Sequence, residues 1–118
     1  MHELSIAESV IRIATEHAAG RRVARVDVRV GHLRQVVPSA LEFAFELASS
    51  GTSVENAELV VEHVPAAGRC RGCGAETDLD AFPLSCSACG GLDVEVLRGE
   101  ELVVDALELE GEMATTEA

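Results

Sequence analysis

Apolar side chains along residues 4–19 recur at helical spacing: Leu4, Ala7, Ile11, Ala14 and Ala18 form a stripe that Val10, Ile13 and His17 widen. Ser5, with Glu8 three positions on, predicts a capping box in which each side chain satisfies a backbone N–H, and Gly20 suits a left-handed stop. The period then drops to two. Ala24, Val26, Val28 and Val30 alternate with Arg25, Asp27 and Arg29, the pattern of a strand buried on one face. Pro38 and Ser39 open a second helix, with Glu42 completing another capping box, Leu41, Ala44, Phe45 and Ala48 as its stripe, and Gly51 at its end. Leu59 to Val64 predicts a second strand, stopped by Pro65, and Leu102 to Glu110 a third, in which Leu107 and Leu109 interleave with Glu108 and Glu110.

Residues 66–99 are richer in Gly and Cys and show no helical period, which marks a small domain inserted between strands of the first. Linkers at Pro65 to Arg69 and Leu97 to Glu101 would tie it in, and the acidic tail over 111–118 is expected to be flexible. A length of 118 residues fits such a plan, one core with a small appendage.

Charge narrows the partners. The net charge is −12, and all nine cations are Arg. A nucleic-acid binder needs cations to displace condensed counterions, so neither nucleic acid nor an anionic membrane surface is an expected partner. No apolar stretch approaches the ~20 residues of a spanning helix, and the first residues lack the cationic start and apolar run of a secretory signal, so the expected location is cytoplasmic. In a reducing compartment, four Cys are metal ligands or redox thiols before they are structural disulfides.

Their spacing favours metal. Cys70-Arg71-Gly72-Cys73-Gly74 and Cys86-Ser87-Ala88-Cys89-Gly90 are two copies of C-x-x-C-G, twelve residues apart. Two such turns facing each other present four thiolates tetrahedrally, and the Gly after each second Cys permits a positive φ that brings N–H groups to the sulfurs. Structural Zn(II) is the expected occupant, with iron in the same cage, a thiol switch or a disulfide pair as alternatives. Beyond Leu79, Phe82, Leu84 and Leu92 the insert has few apolar groups, so metal binding would supply its folding free energy. Four thiolates close the coordination sphere, which leaves no position for a catalytic water. There is no Ser-His-Asp order, glycine-rich phosphate loop or carboxylate pair either, and the chain is not expected to be an enzyme.

Met1-His2-Glu3 is the second constellation. The Met1 amine, the His2 amide nitrogen and the His2 imidazole are consecutive donors that close a five- and then a six-membered chelate ring, with the Glu3 amide or carboxylate as a fourth. Deprotonated amides and imidazole in one plane suit Ni(II) or Cu(II), whose d-electron counts favour tetragonal fields. By itself, however, a His at position 2 reads as a solvated terminal side chain.

Met1-His2-Glu3-Leu4-Ser5 running into a helix, a Val-rich strand ending at Gly31, the Pro38 to Leu47 helix with Phe43-Ala44-Phe45, and two C-x-x-C-G motifs together resemble the HypA/HybF family of hydrogenase maturation nickel chaperones, to about Leu109. The resemblance implies an α+β fold: a nickel domain of two helices on a small three-stranded sheet over residues 1–65 and 100–110, with an inserted zinc-ribbon-like domain over 66–99. It implies Ni(II) as cargo on Met1, His2 and Glu3, and Zn(II) on Cys70, Cys73, Cys86 and Cys89. It also implies delivery to the large subunit of [NiFe]-hydrogenase with the GTPase HypB, and in some organisms service to urease. Many relatives carry a Cys in the first helix where this chain has Ala7, which we read as a packing position.

The rival expectation is a zinc-ribbon adaptor that binds a protein without transferring nickel. An exposed strand edge could pair with a partner chain, a second copy in a homodimer among the candidates. His17 reads as a partly buried edge of the core, His32 as a loop residue and His63 as a strand residue, and none is assigned a role.

Overall fold

A computed structural model describes residues 2–111. The element order is α1 (His2–Ala18), β1 (Val23–Gly31), a 3-10 turn (His32–Arg34), α2 (Pro38–Ala48), β2 (Glu58–Val64), β3 (Ala66–Cys70), β4 (Glu76–Leu79), β5 (Val94–Arg98) and β6 (Leu102–Leu109). Two three-stranded sheets result, with orders β2-β1-β6 and β4-β3-β5. Both expected helices and all three expected strands are present, and the insert adds a sheet of its own. Residues of both expected linkers lie within strands, β3 and β5. The acidic tail beyond Gly111 and the Met1 donor fall outside the described residues.

Contacts divide the chain into two units. One gathers the chain up to Val28, Val36–Glu62 and the chain from Val103, and the other gathers Arg29–Gln35 with His63–Leu102.

In the first unit α1 buries Ile6, Ala7, Val10, Ile11, Ala14 and Ala18. The buried stripe is therefore rotated from the expected one: Leu4 is 48 % exposed and His17 is exposed, whereas Ile6 enters the core. Ala7 is fully buried, a packing position as expected. Neither capping box forms. The helix starts before Ser5, so its hydroxyl bonds back to the His2 carbonyl at 3.0 Å instead of capping. At α2 the cap position is Val37, with Pro38 in the first turn and no side-chain cap, because proline's fixed φ and missing N–H already suit that place. Leu41, Ala44 and Phe45 point inward from α2, and Val23, Val26 and Val28 from β1. Val54 joins this core, held there when the Val23 N–H donates to the Ser53 carbonyl at 2.9 Å.

The second unit is built differently. Strand β3 is central and antiparallel to β4, with Ala66 opposite Leu79 and Arg69 opposite Glu76. It also pairs antiparallel with β5, through a bulge at Ala67/Gly68. Gly68 is required here, since a Cβ would lie 2.5 Å from Val94 Cγ1 and 2.9 Å from both the Glu95 carbonyl oxygen and Leu79 Cδ1. The interior of this sheet is Ala66, Ala67, Cys70 and Leu79, and Cys86, the first residue of the second motif, is buried as well. Phe82 and Leu92, expected to help fill it, are 54 % and 71 % exposed. The 3-10 turn is clamped to the segment before β6: Gly31 N–H donates to the Glu101 carbonyl, Leu33 N–H to that of Gly99, and Arg34 Nε to that of Glu100, at 2.8–2.9 Å.

Candidate metal centre

Each C-x-x-C-G motif folds as the same backbone turn. The Gly74 N–H donates to the Cys70 carbonyl at 2.8 Å, and the Gly90 N–H to the Cys86 carbonyl at 2.7 Å. Both glycines have positive φ, +81° and +79°. Nothing lies within 4 Å of a Cβ built on either one, so glycine is demanded there by the turn's handedness and not by space.

The two turns bring Cys70, Cys73, Cys86 and Cys89 together, with all four Sγ atoms within 4.8 Å of one another. Two of the separations, Cys70 to Cys89 and Cys73 to Cys86, are 3.7 Å. A tetrahedron with zinc–sulfur bonds of ~2.3 Å has an edge of about 3.8 Å, so the arrangement fits a zinc ion and could hold it with no large movement. None of the four is in a disulfide.

Backbone N–H groups surround the sulfurs. Cys73 N–H points at Cys70 Sγ and Gly91 N–H at Cys89 Sγ, each at 3.4 Å. Donation from the Cys73 backbone holds the Cys70 thiol below its ordinary pKa, and donation from the Cys89 backbone brings Cys86 down to about 7. Cys89 goes the other way, to about 11: the Gly91 N–H favours its thiolate, but the neighbouring Cys70, Cys73 and Cys86 sulfurs outweigh it. Four thiols this close cannot all ionise without a cation among them, so the cluster is suited to hold a metal ion. Gly91 is thus a further residue of the cluster, and the Gly90-Gly91 pair is its signal in the sequence. Nothing in the sequence spacing points to a second clamp, in which Arg71 ties to Asp93 by a side-chain bond of 2.7 Å and by its backbone N–H to the Asp93 carbonyl at 2.9 Å. That bond joins the first cysteine turn to the start of β5.

At the other end of the chain, His2 begins α1 with its side chain half exposed. The first amide nitrogens of a helix lie outside its hydrogen-bond ladder. The Glu3 carboxylate accepts the Val37 N–H at 3.0 Å, a bond that pins the helix start to the segment leading into α2. That donation, and Glu3's own backbone N–H, hold its carboxyl below the usual carboxylate range. His2 Nε2 stands 3.4 Å from Glu3 Oε2. Among the other histidines, His17 Nδ1 lies 2.9 Å from the Ile13 carbonyl, while His32 and His63 meet each other. No helix among the described residues is long and apolar enough to cross a membrane.

Comparison with known proteins agrees with this architecture. Residues 1–109 match the family model described as "HypA: Hydrogenase/urease nickel incorporation, metallochaperone, hypA". The chain is 51 % identical over 110 residues, 93 % of its length and all of the relative's, to the hydrogenase maturation factor HypA of Geotalea uraniireducens. It is 39 % identical over 110 residues, 93 % of this chain and 96 % of the relative, to that of Nostoc punctiforme. The solution structure of the Ni metallochaperone HypA from Helicobacter pylori superposes with a TM-score of 0.67 at 25 % identity, covering 93 % of this chain and 98 % of that one. Two helices, small three-stranded sheets and a four-cysteine cluster are thus the fold of a known group, and the chain belongs to the HypA family of hydrogenase maturation factors and nickel metallochaperones.

Proposed function

We propose that this protein binds Ni(II) at its N-terminus, through the Met1 amine, the His2 amide nitrogen and imidazole, and Glu3, and delivers it to the large subunit of [NiFe]-hydrogenase. The observation that carries this reading is the start of α1 at His2. It leaves the His2 and Glu3 amide nitrogens outside the helical ladder, where they can lose their protons to a planar cation. The Glu3 carboxylate is engaged with Val37, so its role is to hold the terminus in place, and the Glu3 contribution to nickel is its amide nitrogen.

A planar ion at a chain end is open above and below, so incoming ligands can attack it without a pocket having to open. The GTPase HypB and the hydrogenase subunit are the partners in this scheme, with cytoplasmic transfer between them, and urease is a further recipient. Cys70, Cys73, Cys86 and Cys89 hold structural Zn(II), which supplies the folding free energy of the second sheet.

The test is a Ni²⁺ titration of untagged, zinc-loaded protein beside its His2→Ala variant. One tightly held ion with the visible absorption of planar nickel is expected in the parent, and its loss in the variant with zinc and fold intact. Equal tight binding in the two chains would refute the terminal site.

A further inference from the structure

His32 and His63 are thirty-one positions apart. His32 follows the last residue of β1 and His63 is the penultimate residue of β2, its neighbour in the sheet. Their rings meet edge to face, with centroids 5.2 Å apart and an interplanar angle of 83°. His32 Nδ1 lies 3.2 Å from His63 Nε2.

The other nitrogen of His32 fixes its neutral tautomer. Nε2 is 2.6 Å from the Asp80 carbonyl oxygen, which can only accept, so in the neutral ring Nε2 carries the hydrogen and Nδ1 carries a lone pair. That lone pair is aimed at His63. A histidine that gives its far N–H to a backbone carbonyl is held in one orientation and one tautomer, in the way metal-ligating histidines are. The Asp80 carboxylate, 3.7 Å from His32 Nε2, adds negative charge beside the ring.

We infer that His32 Nδ1 and His63 Nε2 form a second cation site, for a divalent first-row transition metal of the kind imidazole prefers, Ni²⁺ included. With metal–nitrogen bonds of about 2.0–2.1 Å, two ligands at right angles stand about 2.9 Å apart and two at the tetrahedral angle about 3.4 Å. The separation of 3.2 Å falls between these values. Without metal, the hydrogen on His63 Nε2 bridges the two nitrogens. When the ion enters, His63 takes its other neutral tautomer, with the hydrogen on Nδ1, so no proton is gained or lost.

Half-exposed His32 and exposed His63 leave water to complete the coordination sphere, which makes the site weaker than a closed cage. Rigidity compensates in part. The 3-10 turn that carries His32 is held by the bonds from Gly31, Leu33 and Arg34, and a Cβ at Gly31 would stand only 2.1 Å from the Gly99 carbonyl oxygen.

The site is independent of the proposed terminal one, and the experiment keeps them apart. Ni²⁺ is titrated into the zinc-loaded His2→Ala chain, and into the same chain carrying His63→Gln or, as a control for scattered histidines, His17→Gln. An octahedral ion held by imidazoles and water is paramagnetic, unlike a planar one. Proton NMR should therefore show two strongly shifted imidazole N–H signals in the His2→Ala chain and in the His17→Gln control. His63→Gln should abolish both and weaken binding about tenfold or more, since losing a ligand costs at least what losing its outer partner does. Unshifted imidazole signals, or equal affinity with and without His63, would overturn the site and leave the contact as a hydrogen bond between two rings.

Discussion

The two units bury different things. Around α1, α2 and the early part of β1 the interior is made of whole apolar side chains, Ile6, Val10, Ile11, Leu41, Phe45, Val23, Val26 and Val54 among them. Around β3 the buried residues are Ala66, Ala67, Gly68, Cys70, Leu79 and Cys86, and with Val30 of the same unit only Leu79 and Val30 are sizeable aliphatics. At about 25 cal/mol per Å² of apolar surface, the first set can offset chain entropy and the second cannot. One segment of the chain therefore reaches a folded state through transfer of hydrocarbon out of water, and the other, on the proposed zinc reading, through four sulfurs on a cation.

The comparison breaks most completely by removing the metal. Chelation under reducing conditions, or Cys86→Ser, should abolish amide-exchange protection in β3, β4 and β5, because structural zinc is worth on the order of 10 kcal/mol to domains of this kind. Protection in α1 and α2 should survive. Persistence of the β3 amides without metal would mean that the small sheet folds by itself. The converse substitution is Leu41→Ala. Its side chain is 1 % exposed, and truncation should cost roughly 2–5 kcal/mol in denaturant unfolding of the zinc-loaded protein while the cysteine unit keeps its metal.

This difference also explains how much could be read from the chain. The helices and the β1 strand announce themselves because burial imposes a period; Pro38 marks the start of α2 and Leu41, Ala44 and Phe45 its stripe, while Gly51 lies beyond its end at Ala48. The cysteine cluster was legible because ligand spacing is written directly in the sequence. The failures lie where neither signal operates. Strands β3 and β4 have so few large side chains that alternation does not show. Ser5 and Ser39 look like caps, but cap geometry depends on where the backbone enters the helix, which no residue type fixes alone. The exposure of His17 follows from a small rotation of the α1 stripe, set by what it packs against. The meeting of His32 and His63 depends on strand pairing between distant segments, and nothing in their spacing points to it.

Smaller changes sharpen the contrast. Gly74→Ala adds a Cβ that meets nothing within 4 Å, so its effect isolates the strain of an L-residue at φ +81°. The expected cost is about 1–2 kcal/mol, read as a lowered melting temperature of the zinc-loaded unit with zinc still bound. Gly20→Ala, at φ +89° and equally open, makes the same backbone change in the apolar unit. Similar losses at the two positions would show that the strain is local and indifferent to what holds each unit together, whereas a much larger loss at Gly74 would mean that the turn and the sulfur cage are coupled.

The smallest effect is expected at the Glu3 carboxylate, which buries no hydrocarbon and is not itself a proposed nickel donor. Its carboxylate is stabilised by the Val37 N–H, and its folded pKa lies below the unfolded one. The folded state therefore holds its proton less tightly than the unfolded state does. This contribution is fully present above the unfolded value, near the ordinary glutamate pKa, and is lost as pH falls through the lower folded value. Glu3→Gln removes the charge but keeps an oxygen that can accept from Val37. The variant should be slightly less stable than the parent at neutral pH, with the gap closing in acid below the glutamate range. A gap that stayed constant as pH fell would show that the contact at the start of α1 acts through shape and hydrogen bonding alone, with no part played by the charge on Glu3.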